Sequence, residues 1–185
     1  MARTIAKDYD EKRLAILKQA AKFFATHGYD AASMSNLAEE CGISKALIYH
    51  YYRSKDSLLF DIIDSHLTGL LAEIDSVPEA DNPEVRLRSL ARALLEAYKD
   101  ADSEHQLQLH SMARLSVSDQ KSLASKQRKI VAPFASAIAD IVPAQKENAS
   151  KMLKPLTMSL MGMLNWFFLW YKPGAGLRRA DYAEL

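Results

Sequence analysis

The sequence predicts an all-α fold, with an N-terminal three-helix domain that contains a helix-turn-helix and a larger helical domain after it. Apolar residues recur at intervals of three and four along most of the chain, and no useful stretch alternates as a strand would. Two very short helical segments flank Gly42. We expect the first domain to span residues 1–53 and the second residues 54–185, with the last helix incomplete at Leu185.

The two short segments around Gly42 carry the signals of a helix-turn-helix. Ser33 is placed to cap the first helix and Ser44 the second, because a serine side chain accepts a hydrogen bond from the first turn. Gly42 supplies the left-handed conformation that ends a helix without a Cβ clash. The residues expected to face inward are Leu37, Ala38, Cys41, Ile43, Ile48 and Tyr52.

The outer side of the second helix is unusual for a solvated surface. Its residues are Lys45, Ala46, Leu47, Tyr49, His50 and Tyr51. Leu47 is able to touch thymine methyl groups, and tyrosine and histidine side chains donate to phosphates. Residues 42–55 hold three cations and no acid, which suits a polyanion. The pattern favours a recognition helix in a DNA groove; a small helical corner with a modest apolar patch is the alternative.

Several fixed spacings also carry a family resemblance. The stretch ISKALIYHYYRSKDSLL of residues 43–59, with SNLA at 35–38 and FFATHGY at 23–29, closely resembles the N-terminal domain of TetR-family (tetracycline-repressor-like) transcriptional regulators. Leu47 stands where that family often has Thr or Ser, Tyr52 replaces the usual Phe, and Arg53 replaces a frequent Pro. The resemblance implies a homodimeric, ligand-responsive regulator, usually a repressor, that binds a palindromic duplex.

The expected DNA-binding set combines the outer face with its flanking residues. It comprises Ser33, Ser35, Ser44, Lys45, Ala46, Leu47, Tyr49, His50, Tyr51 and Lys55. A cation in the first turn of a helix, such as Lys55, is unfavourable unless an anion is nearby. In the resembling family the matching lysine meets a DNA phosphate. The N-terminal arm with Arg3 and Lys7 is expected to be disordered, with contact to a groove or a phosphate as the alternative.

Caps and breakers set the expected helix boundaries. Besides the two short helices, the expected helices cover about residues 8–27, 54–74, 84–99, 103–115, 118–142 and 143–172, with a final start at 178–185. Ser54, Ser103 and Ser118 are the expected caps, Pro133 interrupts one helix, and Pro143 opens another. Val85 is expected to face inward.

The second domain is rich in methionine and aromatic residues, which suit an apolar ligand pocket. The expected ligand-binding residues are His105, Leu109, His110, Met112, Arg114, Met161, Asn165 and Trp166. His110 and Arg114 are expected to share a helix face because they are four apart. Core or dimer packing for the apolar members, and a solvated face for the polar ones, are the alternatives. Residues 165–174 resemble a segment of family members that answer to acyl or acyl-CoA ligands, which implies a mainly apolar, acyl-type inducer.

Other functional classes have little support in the sequence. There is no glycine-rich phosphate loop, no Gly-x-Ser-x-Gly motif and no His or Cys spacing typical of a metal site, so we expect no enzyme and no cofactor. The apolar run of residues 156–171 is shorter than a bilayer span, and no secretory signal follows Met1. We therefore expect a cytoplasmic protein without a membrane partner. A ligand-binding adaptor that lacks DNA binding, and an all-α enzyme, are the weaker hypotheses.

Overall fold

The computed structural model describes residues 2–142, 148–172, 174 and 176–185. These residues form helices and no strand, which confirms the all-α prediction. The helices are α1 (Ala2–His27), α2 (Met34–Glu40), α3 (Lys45–Tyr51), α4 (Lys55–Asp75), α5 (Pro83–Ala97), α6 (Asp102–His110), α7 (Val117–Ile141), α8 (Ala149–Trp170) and α9 (Arg179–Ala183), with a 3₁₀-helix at Met112–Arg114.

Contacts divide the chain into two compact units. Unit 1 comprises Met1–His66 and Ala101–Leu123, and unit 2 comprises Leu67–Asp100 and Ala124–Leu185. Each unit therefore contains two separate stretches of chain, and α4 and α7 contribute residues to both. The sequence-based boundary between residues 53 and 54 stays a prediction.

In unit 1 the local signals act as the sequence predicts. Gly28 and Gly42 adopt φ values of 79° and 63°, the left-handed region that glycine enters without strain. The buried residues that α1 to α4 contribute to this unit include Ile16, Leu17, Ala20, Phe24, Leu37, Ile48, Leu58, Leu59 and Ile62. Ser54 Oγ accepts from Ser57 N at 3.1 Å, and Ser57 Oγ accepts from Ser54 N at 3.1 Å, so the start of α4 is capped reciprocally.

A carboxylate on α4 ties three segments of unit 1 together. Asp61 accepts a hydrogen bond from the guanidinium of Arg13 on α1 at 2.5 Å and from Tyr52 Oη at 2.6 Å. Burial of Tyr52 and this hydrogen bond to Asp61 raise the pKa of the phenol. Because Tyr52 follows α3 directly, Asp61 fixes the end of the short helix to both of its long neighbours.

Unit 2 contains an aromatic cluster built on α8. The ring of Phe167 stacks on Tyr171 at 4.4 Å and lies 4.9 Å from Tyr182 on α9, between ring centroids. The guanidinium of Arg179 lies 4.8 Å from the centroid of Tyr171 and donates to the carbonyl oxygen of Leu95 at 3.2 Å. The five-residue α9 is thereby held against both α5 and α8.

Several predicted boundaries need correction. Helix α1 begins at Ala2, so residues 2–7 are helical and do not form the disordered arm that was expected. The predicted helix over 103–115 is α6 followed by the 3₁₀-helix, and α6 has no side-chain cap from Ser103. Ser116 caps α7, since its Oγ accepts from Asp119 N at 3.2 Å, and Ser118 does not.

Three further helix predictions concern residues of α5, α7 and α8. Helix α7 runs through Pro133 without interruption. Val85 is 49% exposed, because it lies on the outer side of α5 opposite the buried Leu90 and Leu94. The predicted helix start at Pro143 lies outside the described residues, and α8 begins at Ala149.

Candidate DNA interface

The recognition-helix candidate α3 is held from its inner side. Ser44 Oγ accepts from Leu47 N at 3.1 Å, as the predicted N-cap requires. Ile48 is fully buried, and Tyr52 is 5% exposed. A seven-residue helix is marginal by itself in water, so these anchors supply the stability that its length does not.

The opposite face of α3 is open to solvent. Leu47 and Tyr49 are 37% and 44% exposed, and Lys45, Ala46 and His50 are exposed as well. Tyr51 is only half-buried. The structure therefore brings the predicted outer residues of α3 together on one surface.

The three predicted serines lie at the starts of the two short helices. Ser33 Oγ accepts from Asn36 N at 3.1 Å and caps α2, while Ser44 caps α3 in the same way. A hydroxyl that accepts one hydrogen bond still has a proton to donate. Ser33 and Ser44 thus retain a donor, and Ser35 is exposed beside them on α2.

Two cations on this surface are available to an anion. Lys45 and Arg53 are exposed, and neither forms an ion pair with any residue that the structure describes. Arg53, which replaces a frequent Pro of the family, is not among the predicted DNA-binding residues. Its position just after α3 makes it a further candidate for a phosphate contact.

Lys55 differs from these two cations because its ammonium group is already engaged. Lys55 Nζ donates to the carbonyl oxygens of Tyr29 at 2.7 Å, Ala32 at 2.9 Å and Asp30 at 3.3 Å. The same Nζ lies 4.4 Å from the centroid of the Tyr29 ring. Tyr29 Oη in turn donates to the carboxylate of Asp56, and burial together with this hydrogen bond raises the pKa of the phenol. Lys55 therefore holds the turn between α1 and α2 to the start of α4.

Tyr9 on α1 joins the exposed face of α3, which the sequence did not indicate. Its ring stacks on Tyr51, with centroids 4.7 Å apart and planes at 27°. His50 meets both rings edge-on, at 5.5 Å from Tyr51 and 6.5 Å from Tyr9. Tyr9 lies at the start of the predicted first helix, and nothing in the local sequence pairs it with Tyr51, which is 42 residues later.

Comparison with known proteins matches an N-terminal and a C-terminal part of the chain to one family. The model of bacterial regulatory proteins of the tetR family matches residues 16–62, and the model of the tetracyclin repressor-like C-terminal domain matches residues 80–185. The chain belongs to the TetR family. Its members are non-enzymatic transcriptional regulators that bind DNA.

Solved TetR-family structures share the fold over nearly the whole chain. A TetR-family regulator from Bordetella parapertussis 12822 is 30% identical, with a TM-score of 0.85 and coverage of 93% of this chain and 90% of that one. AibR, solved in complex with isovaleryl coenzyme A and operator DNA, is 25% identical, with a TM-score of 0.78 and coverage of 93% and 94%.

Curated relatives match over shorter segments. The transcriptional activator FasR from Mycolicibacterium smegmatis is 32% identical over 91 residues, which are 49% of this chain and 40% of FasR. The match thus spans less than half the length of that relative.

The predicted ligand-binding residues of unit 1 do not form one helix face. His105 is fully buried on α6, whereas Leu109 and His110 are exposed near its end and Met112 is half-buried. Because α6 ends at His110, the expectation that His110 and Arg114 share a face is wrong. The guanidinium of Arg114 instead pairs with the carboxylate of Asp30 at 2.6 Å, and both side chains are more than half exposed.

In unit 2 the predicted ligand-binding residues differ in burial. Met161 is 4% exposed, and Asn165 is half-buried with its Oδ1 accepting from Tyr98 Oη at 2.7 Å. Trp166 is 58% exposed. Their role in ligand binding stays a prediction.

Unit 2 also contains an open cleft of about 690 Å³. It is lined by acidic residues from three segments, Asp75, Glu79, Asp81 and Asp140, together with Arg86 and Lys129. Arg86 is occupied there, since it donates to the carbonyl oxygens of Val77 and Pro78 at 2.5 Å each. The cleft contains none of the predicted ligand-binding residues and does not have the apolar lining that was expected of the pocket.

Among the residues that the structure describes, no group of three or more His, Cys, Asp or Glu side chains is arranged to hold a metal ion. No helix of the described part is long and apolar enough to cross a bilayer.

Proposed function

We propose that this protein is a homodimeric, ligand-responsive transcriptional regulator that acts as a repressor and leaves its operator when a mainly apolar small molecule binds. The observation that carries the proposal is the outer face of α3. It presents Lys45, Leu47, Tyr49 and His50 to solvent on a helix whose inner side is buried. A helix with this distribution is suited to reading base edges while flanking groups contact phosphates.

We assign each side chain of this surface a DNA contact from its chemistry. Leu47 contacts thymine methyl groups and contributes to base preference. Lys45 and Arg53 neutralise phosphates, while Tyr49, His50 and the serine hydroxyls donate to the backbone. Lys55 contributes by holding the turn before α2, because its donors are already used within the protein.

An exposed apolar stripe on α8 supports the proposed homodimer. Met152, Leu156, Met163, Trp166 and Trp170 are all exposed, and their spacings of 4, 7, 3 and 4 residues place them along one side of the helix. Soluble monomers rarely present a contiguous apolar surface of this kind. A second copy covers the stripe with an identical stripe, as two-fold symmetry requires.

The proposed effector is mainly apolar and of the acyl type. The methionine and aromatic content of α8 favours such a ligand over a sugar or a small ion. The structure of AibR in complex with isovaleryl coenzyme A supports this choice, because AibR has the same fold and is 25% identical to this chain. The pairing of Arg114 with Asp30 makes it a weaker candidate for binding an anionic end of the ligand than the sequence indicated.

The switch requires different effector affinities for two states of the protein. An effector that prefers a conformer with wrongly spaced recognition helices weakens operator binding, and the operator weakens effector binding by the same factor. Activation is the second candidate for the sign of regulation, because the relative FasR is named an activator.

A two-step ligand screen tests the effector and the switch. Fatty acids, acyl-CoA thioesters, aromatic acids and sugars are screened by thermal shift, and each hit is then tested for release of a selected operator. Free coenzyme A is the matched control for the acyl group. We expect acyl compounds to raise the melting temperature and to release DNA. Hits confined to sugars or metal ions would contradict the apolar effector, and stabilisation without release would contradict the switch.

A further inference from the structure

We infer that Tyr9 is a positioning residue for DNA recognition, which fixes Tyr51 and His50 at the end of the recognition helix. The inference rests on the proposed DNA-binding function of α3. It assigns a role to the N-terminal part of α1, which contributes no residue to the predicted DNA-binding set.

Tyr52 fixes the backbone at the end of α3 through Asp61, but this anchor lies on the inner side and does not restrain the side chain of Tyr51. Ser44 caps the first turn of α3, and Ile48 anchors its middle from the inner side. Tyr51 is the last helical residue of α3, and its own ring is only half-buried. A phenol at the end of a seven-residue helix would otherwise lose rotamer freedom when it docks on DNA, and that loss weakens binding.

The ring of Tyr9 restricts this freedom before DNA arrives. Centroids 4.7 Å apart with planes at 27° form a stacked pair, within the range in which aromatic rings attract one another. The edge-on contacts of His50 with both rings extend the restraint to the imidazole on the exposed face. Tyr9 belongs to the 26-residue helix α1, so the short helix is fastened to a long one.

A direct phosphate contact by the Tyr9 hydroxyl is the competing role. The two roles differ in what they require, because stacking uses the ring and a phosphate contact uses the hydroxyl. Tyr9→Phe keeps the ring and removes the hydroxyl, whereas Tyr9→Ala removes both. Leu14→Ala is a matched control, because Leu14 is an exposed large side chain on the same helix, at 53%.

The experiment measures affinity for a duplex selected from a random pool by the wild-type protein, at several salt concentrations, together with the thermal midpoint of each variant. We expect Tyr9→Ala to weaken binding by about 3- to 10-fold for each half-site, the equivalent of fixing one side chain. Tyr9→Phe and Leu14→Ala should bind like the wild type. The salt slope should be unchanged in all three, because no phosphate contact is removed. Tyr9→Ala combined with Tyr51→Ala should cost less than the sum of the single changes.

Three results would overturn the inference. These are wild-type affinity in Tyr9→Ala, an affinity of Tyr9→Phe as low as that of Tyr9→Ala, and strict additivity with Tyr51→Ala. If Tyr9→Ala lowers the thermal midpoint, Tyr9→Leu is used in its place, because leucine keeps an apolar side chain but has no ring to stack. The same three results would then overturn the inference. Leu47→Ala separates this inference from the proposed function: normal binding by Tyr9→Ala with altered binding by Leu47→Ala rejects only the role of Tyr9.

Discussion

Lys55 Nζ donates a 2.7 Å hydrogen bond to the carbonyl oxygen of Tyr29 and lies 4.4 Å from the centroid of the Tyr29 ring. With the bonds to the carbonyls of Ala32 and Asp30, all three donors of the ammonium group are directed at the turn between α1 and α2. The resemblance to the TetR family implies a phosphate contact for this lysine, and the geometry gives it a structural task in the free protein.

Lys55→Ala therefore tests stability as well as DNA binding. We expect it to lower the free energy of unfolding by about 1–3 kcal/mol, because hydrogen bonds from a charged donor are lost and carbonyls lose their partners. Lys45→Ala is the control, since Lys45 is exposed on α3; it should leave stability unchanged and reduce the salt slope of DNA binding by about one unit for each half-site. Denaturant titration measures the free energy of unfolding, and binding at several salt concentrations measures the salt slope. An unchanged stability of Lys55→Ala with a salt slope lower by about one unit for each half-site would favour the phosphate contact instead.

Leu47→Ala should change base preference without changing the salt slope. Leu47 is 37% exposed on α3 and carries no charge, so its contribution lies in apolar contact with base edges. We expect a loss of discrimination of about 1 kcal/mol at the contacted base pair, the value of burying one methyl group, measured by selection from random duplexes. Leu14→Ala, on the exposed side of α1, should select the same sequences as the wild type. Identical selected sequences for Leu47→Ala would remove Leu47 from the interface.

Trp166→Glu should separate the proposed dimer. Trp166 is 58% exposed in the middle of the apolar stripe on α8, and a charge there would be buried without a partner in the dimer. Sedimentation at micromolar concentration should show a dimer for the wild type and a monomer for the variant. Val117→Glu, at a 68% exposed position on α7, should remain dimeric. A wild-type monomer would contradict the dimer itself.

Acidification should destabilise the protein through His66. Burial, with a smaller contribution from the charge of His105, lowers the pKa of His66 to about 3 from an ordinary 6.5. Between these values the unfolded state binds the proton and the folded state does not, so stability falls as the pH drops below 6.5 and levels off near 3. The slope from this group is at most about 1.4 kcal/mol per pH unit. Denaturant titrations from pH 7 to 4.5 should show a smaller slope for His66→Gln; equal slopes would rule out this titration.

Local sequence signals predicted the helix-turn-helix in detail. Ser33, Ser44 and Gly42 act within one or two turns of chain, so their effects depend little on tertiary structure. Ile48 and Tyr52 followed from helical periodicity, and both are buried.

Other features depend on contacts distant in sequence. The carbonyl acceptors of Lys55 lie 23 to 26 residues before it in the chain. Asp30 pairs with Arg114, and Tyr9 stacks on Tyr51, so both contacts join distant segments. The break after α6 was hidden because Ser103 and the residues after His110 fit a continuous helix by pattern alone. Pro133 is predicted to interrupt α7, yet the helix continues through it, with Ile130 and Phe134 buried on either side of the proline.

Selection of duplexes from a random pool by the wild-type protein tests the central claim most directly. We expect a palindromic sequence whose half-sites are about one helical turn apart, roughly 34–36 Å, or somewhat more for a wide dimer. The affinity for it should fall steeply with salt, and Leu47→Ala should alter the selected bases. Recovery of no enriched sequence, or of one whose affinity is indifferent to Lys45→Ala and Leu47→Ala, would contradict the assignment of α3 as the recognition helix.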